Sequence, residues 1–305
     1  MVAAIKLSGV TLRYGSRRGI EAIDLAVPDG TILGFIGPNG AGKTTTIRVL
    51  LGLLRASAGQ ATLLGRDCWS EGHIARRDVG YVPGDLRLYP WLTTRSGIAL
   101  AASVRGRAST PADTELLHAF DLDPGVPVRK MSRGTRQKLG LVLALVHEPR
   151  IVLLDEPTTA LDPLVRDALY RILRDRAALG ATVFFSSHSL GEVETLCERI
   201  AIVRDGRIVA NEPLTVLRAR ATRAVMIRFR EAETAAATRP PDGLRVHDRA
   251  GAVWHAELAG DPASLLTFLH AVKPADFTVS PPDLQGIFRS YYRTDTDPGT
   301  GSAAT

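Results

Sequence analysis

Eight consecutive residues, Gly37-Pro38-Asn39-Gly40-Ala41-Gly42-Lys43-Thr44, fit the pattern G-x-x-x-x-G-K-[ST]. Glycines let successive backbone N–H groups turn inward around phosphate oxygens. A lysine at this offset reaches the β- and γ-phosphates, and the Thr44 hydroxyl is placed to ligate Mg²⁺ at a helix N-terminus. Thr45, the next helical residue, belongs to the same phosphate-facing turn. The alternative is a plain glycine-rich turn, and the strand signal before it and the helix signal after it argue against that. Lysine is also scarce in this chain, with 33 arginines against 5 lysines, so its use here is informative.

A second cluster sits at Ile151-Val152-Leu153-Leu154-Asp155-Glu156, four apolar residues ending in two carboxylates. A strand buried on both faces can expose acids only at its end, so the pair belongs at the carboxyl edge of a parallel sheet, where α/β ligands bind. Asp155 is expected to hold Mg²⁺ through water and Glu156 to polarise an attacking water. An ordinary acidic strand end is the other reading. The run Thr182 to Ser187 then delivers His188 to the same edge, as a γ-phosphate contact or as a structural histidine.

The elements that must position these groups are legible from periodicity. Residues 5–36 alternate apolar stretches with Gly15, Pro28 and Gly30, which is strand-and-turn patterning, and helical spacing begins at Thr44. From about 84 to 146 the pattern is mainly helical, forming an inserted subdomain with Ser132 as a plausible N-cap. Strands at Ile151–Leu154 and Thr182–Phe185 flank a helix at Pro163–Leu179, the βαβ rhythm of an α/β core. Beyond Arg218 four further strand signals and two helix signals, punctuated by Pro240-Pro241 and Pro281-Pro282, describe a small α+β appendage. The expected division is a main domain over 1–217, the appendage over 218–293 and a disordered tail over 294–305.

At 305 residues, 45% hydrophobic and 23% charged, the chain has the composition of a globular protein. Cys68 and Cys197 cannot staple a secreted framework and read as reduced thiols. No apolar run approaches the roughly 20 residues of a membrane helix, and the N-terminus lacks the pattern of a signal peptide. The chain therefore reads as cytoplasmic from its first residue. The net charge of +6 is spread along the chain rather than gathered in a tail, so no nucleic-acid partner is expected.

Taken together, these residues resemble an ATP-binding cassette (ABC) ATPase, the nucleotide-binding subunit of ABC transporters. The ordered set comprises the phosphate loop, a signature helix at Met131 to Lys138, Asp155-Glu156, a D-loop at Ala160-Leu161-Asp162, and His188. The resemblance covers roughly Ile5 to Leu217. It implies a P-loop NTPase fold with a parallel sheet core and an N-terminal antiparallel part. It also implies ATP and Mg²⁺ as ligands and a head-to-tail homodimer in which the signature of one copy caps the nucleotide of the other. Within the resemblance, Tyr14 looks like the aromatic residue that stacks on adenine, with an edge-strand tyrosine as the alternative. Ser132 and Gly134 match signature positions, with an ordinary helix cap as the alternative, and Asp162 matches the D-loop aspartate.

Two positions depart from the family. Met131-Ser132-Arg133-Gly134-Thr135 replaces the common Leu-Ser-Gly-Gly-Gln, in the manner of exporters of drugs, antibiotics and sodium. Gly84-Asp85 stands where the family places its Q-loop glutamine, so Asp85 is expected either to replace that amide as a Mg²⁺ or water ligand or to cap the next turn. The segment Leu284 to Tyr292 resembles the C-terminal helix of exporter ATPases; its aromatic spacing equally fits a face packed on the appendage itself. The resulting expectation is the ATP-hydrolysing subunit of an exporter at the cytoplasmic face of the membrane, attached to a separate permease, with Tyr89-Pro90-Trp91-Leu92 as the docking turn or, alternatively, a buried hairpin tip. Two other functions remain open: a soluble ABC ATPase acting on nucleic acid or ribosomes, and a nucleotide-gated module that does not turn over.

Overall fold

The structure, a computed structural model, describes residues 3–15, 17–104, 111–281 and 283–292. The tail expected at 294–305 lies outside the described residues. The chain divides into two compact units, Met1–Glu212 and Pro213–Thr305. The division falls ahead of the boundary expected at residue 217 because the helix Leu214–Arg220 packs with Leu284–Tyr292 in the second unit.

In the first unit, β1 (Ala3–Tyr14) and β2 (Arg17–Pro28) pair antiparallel, with Ile5, Leu7, Val10 and Leu12 of β1 buried. The register shifts between Leu7 and Val10, which keeps the apolar residues inward on both sides of the irregularity. The short β3 (Ile32–Ile36) is buried throughout and feeds α1 (Lys43–Leu50). Next come β4 (Ala58–Leu63), β5 (Arg66–Asp67), α2 (Gly72–Ala75) and β6 (Val79–Val82). The helical subdomain expected at about 84–146 contains α3 (Thr94–Val104), α4 (Pro111–Ala119) and α5 (Arg133–Leu145). The chain then returns through β7 (Ile151–Asp155), α6 (Pro163–Ala178), β8 (Thr182–Ser187), α7 (Leu190–Leu196), β9 (Arg199–Arg204) and β10 (Arg207–Pro213).

Six strands form the central sheet in the order β10-β9-β3-β8-β7-β6, and β9, β3, β8, β7 and β6 run parallel. A four-stranded antiparallel sheet, β2-β1-β4-β5, forms the second layer. Between them Ile5, Leu25, Phe35, Ile47 and Phe184 share one core, with the Phe35 and Phe184 rings 4.8 Å apart. Strand β6 has so little room against α5 that a Cβ at Gly80 would lie 2.0 Å from the Ala144 carbonyl oxygen.

The second unit runs α8 (Leu214–Arg220), β11 (Arg223–Arg228), α9 (Ala232–Ala237), β12 (Leu244–Ala250), β13 (Val253–Leu258), α10 (Ala263–Val272), β14 (Asp276–Val279) and α11 (Leu284–Tyr292). Its sheet order, β12-β13-β11-β14 with antiparallel neighbours, is a split β-α-β-β-α-β arrangement. Alternation along β11 and β13 turns Val225, Ile227, Trp254, Ala256 and Leu258 inward. Trp254 is fully buried between Phe229 and Phe268. Leu284 and Phe288 of α11 are buried, and the helix packs with α8.

Both cysteines are free and buried. Burial, with the charge of Asp67 adding to it, pushes the Cys68 thiol up to about 12. Burial also raises Cys197, helped by Glu198 and Glu192. Because the thiolate is the reactive form, neither should be modified by a thiol reagent at pH 8 while the chain is folded, and both should react after denaturation. Stoichiometric labelling of the native protein would contradict this.

Candidate functional site

Where β3 ends, the chain can only turn tightly because its glycines carry no side chain. A Cβ at Gly37 would lie 2.4 Å from the Val203 carbonyl oxygen, and Gly40 and Gly42 adopt left-handed φ of 81° and 105°. Gly42 is the N-cap of α1 and offers no capping side chain, so the unpaired N–H groups of the first helical turn are left to meet an anion. Lys43, 6% exposed, curls back over the loop and donates from Nζ to the carbonyl oxygens of Gly37 (2.6 Å) and Pro38 (3.2 Å).

The parallel register of β7 and β8 sets Ser186 beside Asp155. Ser186 Oγ donates to Asp155 Oδ1 and Thr44 Oγ1 donates to Asp155 Oδ2, each at 2.7 Å. A buried carboxylate with both oxygens bonded is held in one orientation. Glu156 follows at φ 50°, a left-handed conformation costing of order 1–3 kcal/mol for a non-glycine residue. That conformation swings its side chain back across the sheet edge, with Oε1 3.1 Å from Lys43 Nζ and Oε2 2.6 Å from His188 Nδ1.

Tyr14, Gly19, Pro38, Asn39, Gly40, Gly42, Lys43, Thr44, Thr45, Asp155 and Glu156 therefore line one cleft of about 290 Å³. Tyr14 is half exposed and its hydroxyl lies 3.4 Å from Thr45 Oγ1. Gly37 and Ala41 support the loop from behind, and His188 joins through Glu156.

Four further candidate residues lie away from this cleft: Asp85, expected as a ligand in it, and Ser132, Gly134 and Asp162, expected to serve the nucleotide of a second copy. Ser132 caps α5 through the Thr135 N–H (3.0 Å), and Asp162 caps α6 through the Val165 N–H (3.0 Å). Gly134 is constrained within the chain, since a Cβ there would lie 2.7 Å from the Ala160 carbonyl oxygen. Asp85 is exposed and accepts two hydrogen bonds from Arg87, at 2.8 and 3.0 Å. The glycine before it does reach the site: a Cβ at Gly84 would lie 3.5 Å from Asp155 Oδ2. Two contributors escaped the sequence reading, Ser186 and Gly19. A serine ending the apolar run Val183-Phe184-Phe185 was the available signal for the first; nothing local marks the second.

A second cavity, of about 380 Å³, lies between the central sheet and the helical subdomain, lined by Leu53, Tyr81, Leu86, Leu88 and Leu143 among others. Leu86 seats against α5 where Gly140 leaves room, a Cβ there falling 2.4 Å from Leu86 Cδ2. Next to Leu88, the rings of Tyr89 and Trp91 stack at 5.5 Å and are 65% and 60% exposed, which removes the buried-tip reading of this turn.

Residues 20–159 match the family model described as ABC transporter. The chain is 34% identical over 223 residues to the bacitracin transport ATP-binding protein BcrA of Bacillus licheniformis, covering 72% of this chain and 73% of that protein. It is 38% identical over 222 residues to the daunorubicin resistance ATP-binding protein DrrA3 of Streptomyces coeruleorubidus, covering 71% and 70%. Among solved structures, an ATP-binding subunit of an ABC transporter superposes with a TM-score of 0.66 at 30% identity, over 70% of this chain and 92% of that one. A dimeric bacterial ABC transporter cassette superposes at 0.63 with 25% identity, over 69% and 98%.

Proposed function

The chain belongs to the ABC transporter family as an ATP-hydrolysing ATP-binding subunit, and from that premise we propose that it drives an exporter of the drug and antibiotic class through a separate permease. The observation that carries the reading is the Lys43–Glu156–His188 chain beside an N–H-lined turn. Phosphates fit this turn because three glycines open it and Lys43 neutralises charge there. Glu156 is held by His188 so that one oxygen can take the proton of a water attacking the terminal phosphorus, as the bond to the bridging oxygen breaks and ADP leaves.

Magnesium suits the same corner. Thr44 Oγ1 and Asp155 present hard oxygens side by side, and among the described residues no cluster of three His, Cys, Asp or Glu could hold a metal alone. A cation held by one or two protein oxygens and the substrate phosphates is the arrangement Mg²⁺ prefers, and it supplies charge neutralisation on those phosphates. Tyr14 is the stacking wall for the base. Ser132, Gly134 and Asp162, at the N-terminal ends of α5 and α6, serve the nucleotide of a second copy in a homodimer; the dimeric cassette among the similar structures supports this.

Asp85 is tied to Arg87 and stands apart from the cleft, so Asp85→Ala should change turnover and Mg²⁺ dependence by no more than about twofold, the scale of an exposed ion pair. A raised Mg²⁺ requirement would restore the ligand role expected from the sequence.

No helix among the described residues is long and apolar enough to cross a membrane; the transmembrane part of the proposed exporter is placed on a separate permease, in keeping with a relative named as a transport ATP-binding protein. The apolar cavity and the exposed Tyr89–Trp91 pair beside it form the docking surface for a cytoplasmic segment of that permease. A photocrosslinker at Trp91, in membranes from the producing cell, should capture an integral membrane protein; capture of ribosomal or other soluble proteins alone would favour the rival reading. The solvent-facing positions of the second unit's central strands are Ala224, Met226, Arg228, Val253, His255 and Glu257, so the His255 imidazole is the single ring among them on which a base could stack, and this sheet gives little support to the RNA-binding reading.

A further inference from the structure

Two hairpin turns of the first unit share one backbone conformation. Leu64 and Gly65 join β4 to β5 with φ of 51° and 79°, and Asp205 and Gly206 join β9 to β10 with 50° and 75°. Their surroundings differ. A Cβ at Gly65 would meet nothing within 4 Å, whereas one at Gly206 would lie 2.8 Å from the Gly19 carbonyl oxygen and 3.1 Å from Ile20 Cα.

The second turn also bridges two parts of the nucleotide cleft. Its Gly206 N–H donates to the Ala41 carbonyl of the phosphate loop (3.1 Å), and its Gly206 carbonyl accepts from the Glu21 N–H of β2 (2.8 Å). Arg207 adds an ion pair to Glu21 at 2.8 Å. From the other direction, a Cβ at Gly42 would lie 2.7 Å from Ile20 Cγ2 and 3.2 Å from the Gly19 carbonyl oxygen. Gly19 in turn supports the aromatic wall, since a Cβ there would lie 3.0 Å from Tyr14 Cε2. Three glycines thus close-pack the phosphate loop, the β9–β10 turn and the strand beneath Tyr14.

We propose that the Asp205–Gly206 turn is a positioning element of the nucleotide site, setting the phosphate loop at a fixed distance from the Tyr14–Gly19 wall so that one nucleotide engages both. The proposal rests on the reading that the base lies against the β1–β2 edge carrying Tyr14 and Gly19, of which the Tyr14 ring is the first candidate for the wall. Phosphate binding needs only the loop's own N–H groups and Lys43, whereas joint binding of phosphates and base needs the two walls in register. Displacing the turn should therefore weaken ATP far more than a ligand made of phosphates alone.

The test is equilibrium binding of ATP and of inorganic tripolyphosphate, each with Mg²⁺, to the full chain. Gly206→Ala should weaken ATP roughly ten- to a hundredfold while tripolyphosphate changes by less than about threefold, the scale expected when aligned groups are displaced by a fraction of an ångström to an ångström. Gly65→Ala imposes the same backbone strain in open space and should leave both affinities unchanged. Arg207→Ala adds no atom to the crowded contact, so it should fold and lower the ATP-to-tripolyphosphate preference in the same direction by a smaller factor; an unchanged preference there, with Gly206→Ala unfolded, overturns the proposal. Equal losses for both ligands in Gly206→Ala, or an ATP loss of the same size in Gly65→Ala, also overturn it. Tyr14→Ala tests the reading underneath. If that variant keeps the preference while Gly206→Ala loses it, the wall is not Tyr14 and the positioning role stands; if both keep it, both readings fall.

Discussion

Replacing Glu156 by Gln is expected to cut steady-state ATP hydrolysis by roughly 10²- to 10⁴-fold, the usual worth of a positioned general base, while ATP affinity is retained. The substitution preserves shape and the contact to His188 but removes the negative charge that Oε2 and Oε1 share with His188 and Lys43. Phosphate binding survives because it resides in the loop and in Lys43. With hydrolysis blocked, ATP and Mg²⁺ should hold two copies together, since the ligand binds the closed pair and is no longer consumed. Light scattering that shows only monomers under these conditions would remove the dimer reading; hydrolysis at the parent rate would remove the role of Glu156.

Lys43→Ala should fail one step earlier. The ammonium is buried and held by the Gly37 and Pro38 carbonyls, so its position is set before any anion arrives. Charge-assisted hydrogen bonds contribute about 1.5–3 kcal/mol each, and losing one or two to phosphate oxygens should weaken ATP by roughly 10- to 1000-fold or more. Tripolyphosphate should weaken in parallel, because the lost contact is to phosphate and not to the base. Calorimetry separates the two variants: Glu156→Gln binds ATP and does not turn it over, and Lys43→Ala does not bind ATP at the same concentrations. Unimpaired ATP binding by Lys43→Ala would contradict the phosphate assignment.

The local features of this protein were legible without coordinates. The phosphate loop is one contiguous run whose residue types are each dictated by backbone geometry, and Asp155-Glu156 terminates a strand too apolar to lie anywhere but inside a sheet. The division into an α/β core, a helical insertion and an α+β appendage followed from changes in periodicity. Short elements without a period of their own were missed. Strand β6 is four residues containing Gly80 and followed by Pro83, and β9, β10 and the helices α7 and α9 were not marked as elements.

Tertiary structure alone decided which distant residues meet. Ser186 touches Asp155 because β7 and β8 are neighbours in register; Leu86 fits α5 because Gly140 lacks a side chain; and Gly206 meets both Ala41 and Glu21 because β9 pairs with β3. The appendage's strand order is likewise a pattern of non-local pairing that alternation within each strand cannot specify. Sequence dictates backbone freedom and burial over a few residues, since those depend on each side chain's own sterics and solvation. The separation between phosphate loop and base wall depends instead on how three glycines from three segments pack, and that contact exists only once the sheets have closed on one another.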